Sequence, residues 1–222
     1  MQRIWDWRYY LTIDSVAAAR PVLDALNVRY YFDYKSDQGR DGAVLNLLRA
    51  ADLDIYESPS VWPRAFFTDH IASYENVGDF VSQLRSGDGR PFAAAQAAEL
   101  AADRMLAALP RGIAGRTVTT ATDYRFTENT AAFTIRSAGT GVAVLTEAFL
   151  PGDFRAAVDG KEAQIVRLNH AFKGVVITAA GEHRISFRYQ PRRFRSSLLA
   201  AGFGAFMVLG SFWLAWRKSP AA

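Results

Sequence analysis

The chain contains no cysteine and only three histidines among its 222 residues. The absence of cysteine excludes disulfide bonds, thiolate-bound zinc and cysteine nucleophiles, and it leaves the redox compartment undetermined. His70, His170 and His183 lack the spacing of metal ligands, so we expect no zinc site. Neither a phosphate-binding glycine loop nor a nucleophile elbow occurs in the sequence. The sequence therefore predicts no catalytic residue, no cofactor and no metal.

Long uncharged runs are also absent, with one exception near the carboxyl end. Residues 196–216 contain no charged side chain and lie between Arg195 and Arg217. A helix of this length is roughly 30 Å long at about 1.5 Å per residue, which matches the hydrocarbon core of a bilayer. A buried core helix is the alternative, but such helices seldom stay uncharged over so many residues. We therefore predict a transmembrane helix over 196–216.

The formal net charge of +4 is concentrated beside this uncharged run. The basic residues that flank the run are Arg184, Arg188, Arg192, Arg193, Arg195, Arg217 and Lys218. Without them the remainder of the chain is net negative. Anionic lipid headgroups explain positive charge in this position, whereas nucleic-acid binding would require a basic face on the soluble part. We therefore predict the lipid bilayer as a partner and no nucleic acid.

Residues 1–112 mix helix and strand patterns, which predicts a small mixed α/β region. Pro21 suits the first position of a helix over 21–26, because proline lacks an amide proton that this position does not need. Asn76 is a candidate N-cap for a following helix whose apolar residues recur at helical spacing. The alanine-rich segment 91–109 is predicted to form one helix. Strands are predicted at 28–32, 53–56 and 63–68.

From Thr117 onward the apolar residues recur with a period of two, which is typical of strands. Residues 142–145 are continuously apolar, as in a strand that is buried on both faces. Asp159 and Gly160 lie between two apolar segments and predict a two-residue hairpin. We therefore predict an α+β fold, in which an antiparallel β-sandwich over 113–191 follows the mixed α/β region and precedes the transmembrane helix.

Three polar residues are candidates for ligand contact. Asp69 and His70 follow an apolar strand, and such a pair can act as a general base, but no nucleophile or substrate group can be identified beside it. Glu147 precedes a Pro-Gly turn, where its carboxylate could accept hydrogen bonds from a sugar hydroxyl or from nearby backbone amides. Three aspartates between positions 33 and 41 recur every four residues, which differs from the spacing of a calcium loop and indicates a solvated loop.

Several segments together resemble a known family. They are 26–30 (LNVRY), 63–67 (PRAFF), 147–160 (EAFLPGDFRAAVDG) and 189–191 (YQP), followed by the terminal apolar run. In this order and spacing they resemble the carboxyl-terminal part of YfhO-type bacterial membrane proteins, which are similar in architecture to membrane glycosyltransferases that use polyprenyl-phosphate sugars. The family has an aromatic pair before the Pro-Gly turn and a tryptophan just after it. Here Phe149-Leu150 and Asp153-Phe154 occupy those positions.

The resemblance implies that the catalytic carboxylate lies between membrane helices outside this sequence. The chain would then be an extracytoplasmic domain and last membrane helix, with a structural or acceptor-binding role in a cell-envelope glycosyltransferase. The implied partners are the upstream transmembrane helices and a glycopolymer or lipid-linked sugar. The alternative is a complete, tail-anchored and non-enzymatic binding module in the cytoplasm, because no apolar segment of a signal peptide follows Met1.

Overall fold

The computed structural model describes residues 16–34, 44–50 and 52–218, so most of the predicted aspartate loop lies outside the described residues. The described residues form five helices: α1 (Val16–Ala25), α2 (Val77–Ser86), α3 (Ala97–Ala102), α4 (Arg104–Ala107) and α5 (Phe194–Lys218). They form fifteen strands: β1 (Tyr30–Tyr34), β2 (Asn46–Ala50), β3 (Leu53–Glu57), β4 (Ala65–Thr68), β5 (Ile71–Tyr74), β6 (Ala93–Gln96), β7 (Val118–Thr120), β8 (Thr122–Phe126), β9 (Thr130–Ser137), β10 (Gly141–Ala148), β11 (Phe154–Val158), β12 (Lys161–Ala163), β13 (Ile165–Leu168), β14 (Phe172–Ile177) and β15 (Gly181–Tyr189).

Two five-stranded antiparallel sheets form the centre of the molecule. The strand order is β13-β14-β10-β4-β7 in the first sheet and β12-β11-β15-β9-β8 in the second. Apolar side chains from both sheets share one core, in which Phe67 and Leu145 of the first sheet meet Phe133 and Phe187 of the second. The structure thus confirms a mixed α/β fold with several antiparallel sheets, consistent with the predicted β-sandwich. The first sheet takes β4 from the segment that precedes residue 113.

Strand β10 explains the continuous apolar run at 142–145. Ala143 and Leu145 face the second sheet, whereas Val142 and Val144 face a further core on the outer side of the first sheet. All four side chains are fully buried. The prediction of a strand buried on both faces is therefore confirmed, because a strand between two apolar layers has no polar face.

The outer core is built by the helical layer and by a two-stranded parallel pair, β5 and β6. Helix α2 starts as predicted, since the Asn76 side chain accepts a hydrogen bond from the amide of Asp79, and the Asp79 carboxylate accepts one from the amide of Asn76. This reciprocal capping box satisfies amide groups that a helix end otherwise leaves without partners. Phe80, Val81 and Leu84 of α2 are buried in the outer core.

Two helix predictions are wrong. Pro21 lies inside α1 and not at its first position. Residues 91–109 form strand β6 and then the short helices α3 and α4. The side chains of 93–95 are fully buried, and the backbone of this segment pairs in parallel with β5. Burial and pairing here override the helix propensity of alanine. Asp103 then accepts hydrogen bonds from the amides of Met105 and Leu106 and begins α4 as a separate helix.

One buried side chain connects the helical layer to the sandwich. Asn169 lies in the turn between β13 and β14, is fully buried and has a φ of 48°. Its side-chain oxygen accepts from the Ala94 amide at 2.7 Å, and its own amide donates to the Ala94 carbonyl at 2.7 Å. Its side-chain nitrogen donates to the Phe92 carbonyl at 2.9 Å. Asn169 therefore pairs with β6 as though it were one residue of a third strand.

The last helix, α5, has 25 residues and follows β15 after a short connection at 190–193. Within the part of the chain that the structure describes, no helix combines the length and the apolar character needed to cross a membrane. The transmembrane helix over 196–216 is thus not confirmed and stays a prediction.

We expect Asn169→Ala to lower the free energy of unfolding by about 3 kcal/mol, because it leaves buried polar groups without partners and places alanine in the left-handed region. Chemical unfolding of the full chain in a mild detergent measures this loss. The matched control is Asp123→Ala, since Asp123 also has a positive φ (50°) but is exposed. Its expected loss is about 1 kcal/mol. Equal losses for the two variants would contradict the role assigned to the Asn169 amide.

Candidate functional site

A groove runs along the side of the sandwich where the chain passes from one sheet to the other. Strand β12 is the edge of the second sheet and β13 is the edge of the first, and Gln164 is the residue between them. Two depressions of about 430 Å³ and 420 Å³ lie here, and both are lined by Phe149, Gln164 and Ile165. Because they share these residues, they form one continuous surface, which we call the Phe149 groove.

Polar side chains of fixed orientation line one end of the Phe149 groove. Arg167 forms an ion pair with Glu99 of α3, and its guanidinium lies 5.4 Å from the centre of the Phe149 ring. Gln164 donates to the Asp103 carboxylate at 3.2 Å. Asp103 is itself held in place, because its other oxygen accepts the two amides that begin α4. The helices α3 and α4 therefore position the acidic side chains against the edge strand β13.

The other end of the groove lies beside the start of α5. Gly152 lines this end, and a Cβ atom at that position would lie 2.6 Å from Cδ of Arg192. Gly152 also has a φ of 76°, which favours glycine. The neighbouring Asp153 accepts a hydrogen bond from the Arg192 amide at 3.2 Å. These contacts fix the Pro-Gly turn against the short connection that leads into α5.

This arrangement is suited to binding and not to acid–base chemistry. Glu99 is paired with Arg167, and Asp103 is occupied by helix capping and by Gln164. A catalytic carboxylate pair needs one group that is free to exchange a proton, whereas both of these carboxylates are already engaged by other groups of the protein. An aromatic ring flanked by guanidinium, amide and carboxylate groups offers stacking and directional hydrogen bonds, which is the chemistry that recognises sugar rings.

Glu147 lies close to the groove but faces two cations. Its Oε1 accepts from Arg64 at 2.8 Å, and its Oε2 accepts from Nζ of Lys173 at 2.9 Å. Lys173 is 1% exposed at its side chain, and its ammonium lies 3.6 Å from the centre of the Phe154 ring. The Glu147 carboxylate therefore pairs with two cations, whereas the sequence suggested backbone amides or a sugar hydroxyl as its partners.

Burial affects the two charged groups of this pair in different ways. Burial raises the pKa of Glu147, but hydrogen bonds from Arg64 and Lys173 outweigh it and hold that pKa below its usual value. Burial is the largest effect on the pKa of Lys173 and lowers it, and the charge of Arg64 lowers it further, so this pKa stays below its usual value although Glu147 raises it. Glu147 is paired with two cations and keeps some contact with solvent. Lys173 is paired with one carboxylate, and its side chain is buried. The lysine therefore carries the larger desolvation cost, which Glu147 offsets in part.

Asp69 and His70 lie at the far end of β4 from Arg64, so they do not join the Glu147 cluster. Asp69 accepts hydrogen bonds from Nδ1 of His70 at 2.7 Å and from the Thr117 amide at 2.8 Å. Burial raises the pKa of Asp69, but these two hydrogen bonds outweigh burial and hold the pKa below its usual value. The pair is close enough for proton exchange, yet its visible role is to connect β4 to the segment before β7.

The other histidines occupy structural positions. His170 lies beside Asn169 in the β13–β14 turn, and His183 contacts Asp159 at 2.7 Å. Among the described residues, no group of acidic or histidine side chains is arranged to hold a metal ion.

The groove residues Phe149, Gln164 and Arg167 were not identified from the sequence as site residues. Phe149 follows β10 whereas Gln164 and Arg167 belong to the β13 region, and the pairing of both strands with β14 brings them together. Comparison of the chain with protein-family models, with curated proteins and with solved structures finds no match. The functional interpretation therefore depends on the geometry of the chain and on the resemblance of its segments.

We expect Glu147→Gln to lower the free energy of unfolding by about 3 kcal/mol at neutral pH, because it leaves the buried Lys173 ammonium without a countercharge. The control is Glu162→Gln in the exposed pair with Arg155, for which about 0.5 kcal/mol is expected. Chemical unfolding of the two variants beside the unmodified chain measures both losses.

The same loss should depend on pH in a defined direction. Folding lowers the pKa of Glu147. Its contribution to the free energy of unfolding is therefore fully present above its pKa in the unfolded chain, about 4.3, and is lost as the pH falls through its pKa in the folded protein. The difference between the unmodified chain and Glu147→Gln should therefore narrow in acid. A difference that grows on acidification would contradict the ion pair.

Proposed function

We propose that the chain is a membrane-anchored, non-catalytic module of a YfhO-like protein of the bacterial cell envelope. Its parent transfers sugar from a polyprenyl phosphate, and this part has a structural or acceptor-binding role. The folded domain lies outside the cytoplasm, and the Phe149 groove is the surface that contacts a glycopolymer or a lipid-linked sugar. The catalytic carboxylate belongs to the membrane-embedded part of the parent.

The observation that carries the proposal is the exposure of apolar side chains along α5. Leu199, Phe206 and Leu209 are 76%, 71% and 68% exposed, although side chains of this type are usually buried in water-soluble folds. The exposed apolar residues of α5 are Phe194, Leu198, Leu199, Phe203, Phe206, Met207, Val208, Leu209 and Trp213. At 100° per residue they occupy most of the helix circumference. A helix that is apolar on nearly all sides requires lipid or other helices around it.

The membrane assignment depends on counting the whole uncharged run of 196–216, including side chains at 212 and 214–216 that lie outside the described residues. A shorter apolar segment would lie within a bilayer interface or a protein core. Trp213 and Trp216 stand near the end of the run, where indole rings favour the boundary between lipid and water.

The short connection between β15 and α5 supports a role close to the membrane surface. Only residues 190–193 separate the last strand from the helix, and Arg192 contacts the Gly152 end of the Phe149 groove. A sugar carried on a membrane lipid would therefore reach this groove without crossing a long distance. Binding of a sugar that diffuses freely in solution would not require a groove close to the membrane.

Charge distribution favours a second candidate, a tail-anchored binding module in the cytoplasm. Five arginines lie between positions 184 and 195, just before the uncharged run, whereas Arg217 and Lys218 follow it. The positive-inside rule would place the more basic side in the cytoplasm. Large domains cross membranes largely regardless of charge, and upstream helices set the orientation first, so we retain the extracytoplasmic assignment.

The anchor predicts that the full chain remains in membranes after carbonate and high-salt washing. Phe206→Arg together with Leu209→Arg should release most of the protein, because both positions lie near the middle of 196–216, where each arginine costs roughly 2.5–3.5 kcal/mol. The matched control is Leu47→Arg with Leu48→Arg, at exposed positions of β2, which should leave retention unchanged. Release of the unmodified chain by salt alone would overturn the anchor.

Protease added to intact spheroplasts separates the two orientations, since only a domain that faces outward is digested.

The groove predicts that the detergent-solubilised chain binds oligosaccharides of bacterial envelope polymers. Phe149→Ala should weaken binding about tenfold, because it removes the stacking surface and the contact that orients Arg167. Phe32→Ala, at an exposed ring on β1, is the control and should bind like the unmodified chain. Titration calorimetry measures the binding of both variants.

Sugar transfer or hydrolysis by the purified chain, abolished by Asp69→Asn, would refute the non-catalytic assignment.

A further inference from the structure

The outward face of the second sheet carries a broad basin with a floor of small side chains. Phe154 and Ala156 of β11 point into the core, so Arg155 and Ala157 point outward. Ala157 lies opposite Ser186 of β15, and Ser186 lies opposite Ala132 of β9. The basin has a volume of about 700 Å³ and is lined in part by Thr130, Arg155, Ala157, Glu162, Ser186 and Arg188. We call it the Arg155 basin.

Two arginines stand side by side at the rim of this basin. Arg155 and Arg188 are directly opposite in the antiparallel pair β11–β15, and both are exposed. Like charges in such positions repel one another. Arg155 contacts Glu162 at 3.3 Å in a pair that is largely open to solvent, whereas Arg188 forms no ion pair with any residue that the structure describes. The pair therefore retains positive charge that the protein does not neutralise.

The chemistry of the basin matches a phosphodiester. Guanidinium groups bind phosphate oxygens through paired, charge-assisted hydrogen bonds. The hydroxyl groups of Ser186 and Thr130 line the same space and can donate further hydrogen bonds. Glu162 at the rim disfavours a highly charged anion, so a phosphodiester with a single negative charge suits the basin better than inorganic phosphate. The small floor leaves room for the group that the phosphate carries.

The position of the basin indicates where such a phosphodiester comes from. Arg188 precedes the first residue of α5, Phe194, by a stretch of chain that can span at most roughly 20 Å at about 3.3 Å per residue. Thr130 follows Asn129, whose carbonyl accepts a hydrogen bond from the Tyr189 amide at 2.7 Å. The arginine end of the basin is therefore the end from which the chain leaves toward α5.

We propose that the Arg155 basin binds the headgroup of an anionic phospholipid in the membrane that α5 enters, an inference that rests on the proposed membrane anchor. One bound headgroup would neutralise the arginine pair and fix the orientation of the second sheet relative to the bilayer surface. The Phe149 groove would then face a defined direction.

The test uses the full chain in dodecyl maltoside and short-chain lipids as probes. Dihexanoyl phosphatidylglycerol should bind, and Arg155→Gln with Arg188→Gln should weaken its binding about tenfold. The charge-matched control is Arg49→Gln with Arg136→Gln, at exposed positions outside the basin, which should change binding less than about twofold. Arg155→Lys with Arg188→Lys should retain part of the affinity, because the charge remains while the paired hydrogen bonds are lost. Native mass spectrometry and titration calorimetry measure the affinities.

Any of the following results would overturn the proposed headgroup site. Equal binding of dihexanoyl phosphatidylcholine would show that headgroup charge is not recognised, and equal binding of inorganic phosphate would show a free-anion site. Equal loss in the basin and control variants would show a general effect of net charge. Absence of phosphatidylglycerol binding by the unmodified chain would remove the site altogether. Because binding is measured in detergent, it is independent of membrane retention, so failure of the anchor and failure of the basin are distinguished.

Discussion

The buried amide of Asn169 is the contact on which the relative position of the two layers depends. It takes the hydrogen bonds of Ala94 and Phe92 that the free edge of β6 would otherwise leave unsatisfied inside the protein. Strand β6 continues directly into α3, and α3 and α4 form one wall of the Phe149 groove. The width of the groove is therefore set by a side chain that does not line it.

Local sequence patterns predicted the secondary-structure elements that depend on interactions between residues close in sequence. The Asn76 cap, the Asp159-Gly160 hairpin and the alternating strands of the sandwich were all predicted, and both hairpin residues adopt the positive φ that such a turn requires. The helix prediction for 93–95 was wrong because a partner strand decides the secondary structure of this segment. Alanine is a good helix former, but burial beside β5 favours a strand there. Propensity carries no information about such partners.

The candidate site depends on residues that are far apart in sequence, so it could not be derived from spacing. The sequence singled out Glu147 as a candidate for ligand contact before a turn, but it could not identify its partners, since Arg64 precedes β4 and Lys173 lies on β14. The burial of Lys173 follows from the approach of Phe154 and Phe187, which no local pattern encodes. Phe149 gave a weak indication through its place in the Pro-Gly motif. Its contact with Arg167 depends on the pairing of β10 and β13 with β14, which no local pattern encodes.

The direct passage from β15 into α5 has a mechanical consequence. Strand β15 is hydrogen-bonded to β11 on one side and to β9 on the other. Tension applied through α5 would pull along this strand, while its antiparallel hydrogen bonds run across the direction of pull. Such bonds yield together in shear and not one after another. The sheet would therefore act as a clamp that keeps its shape under traction until the whole strand slips.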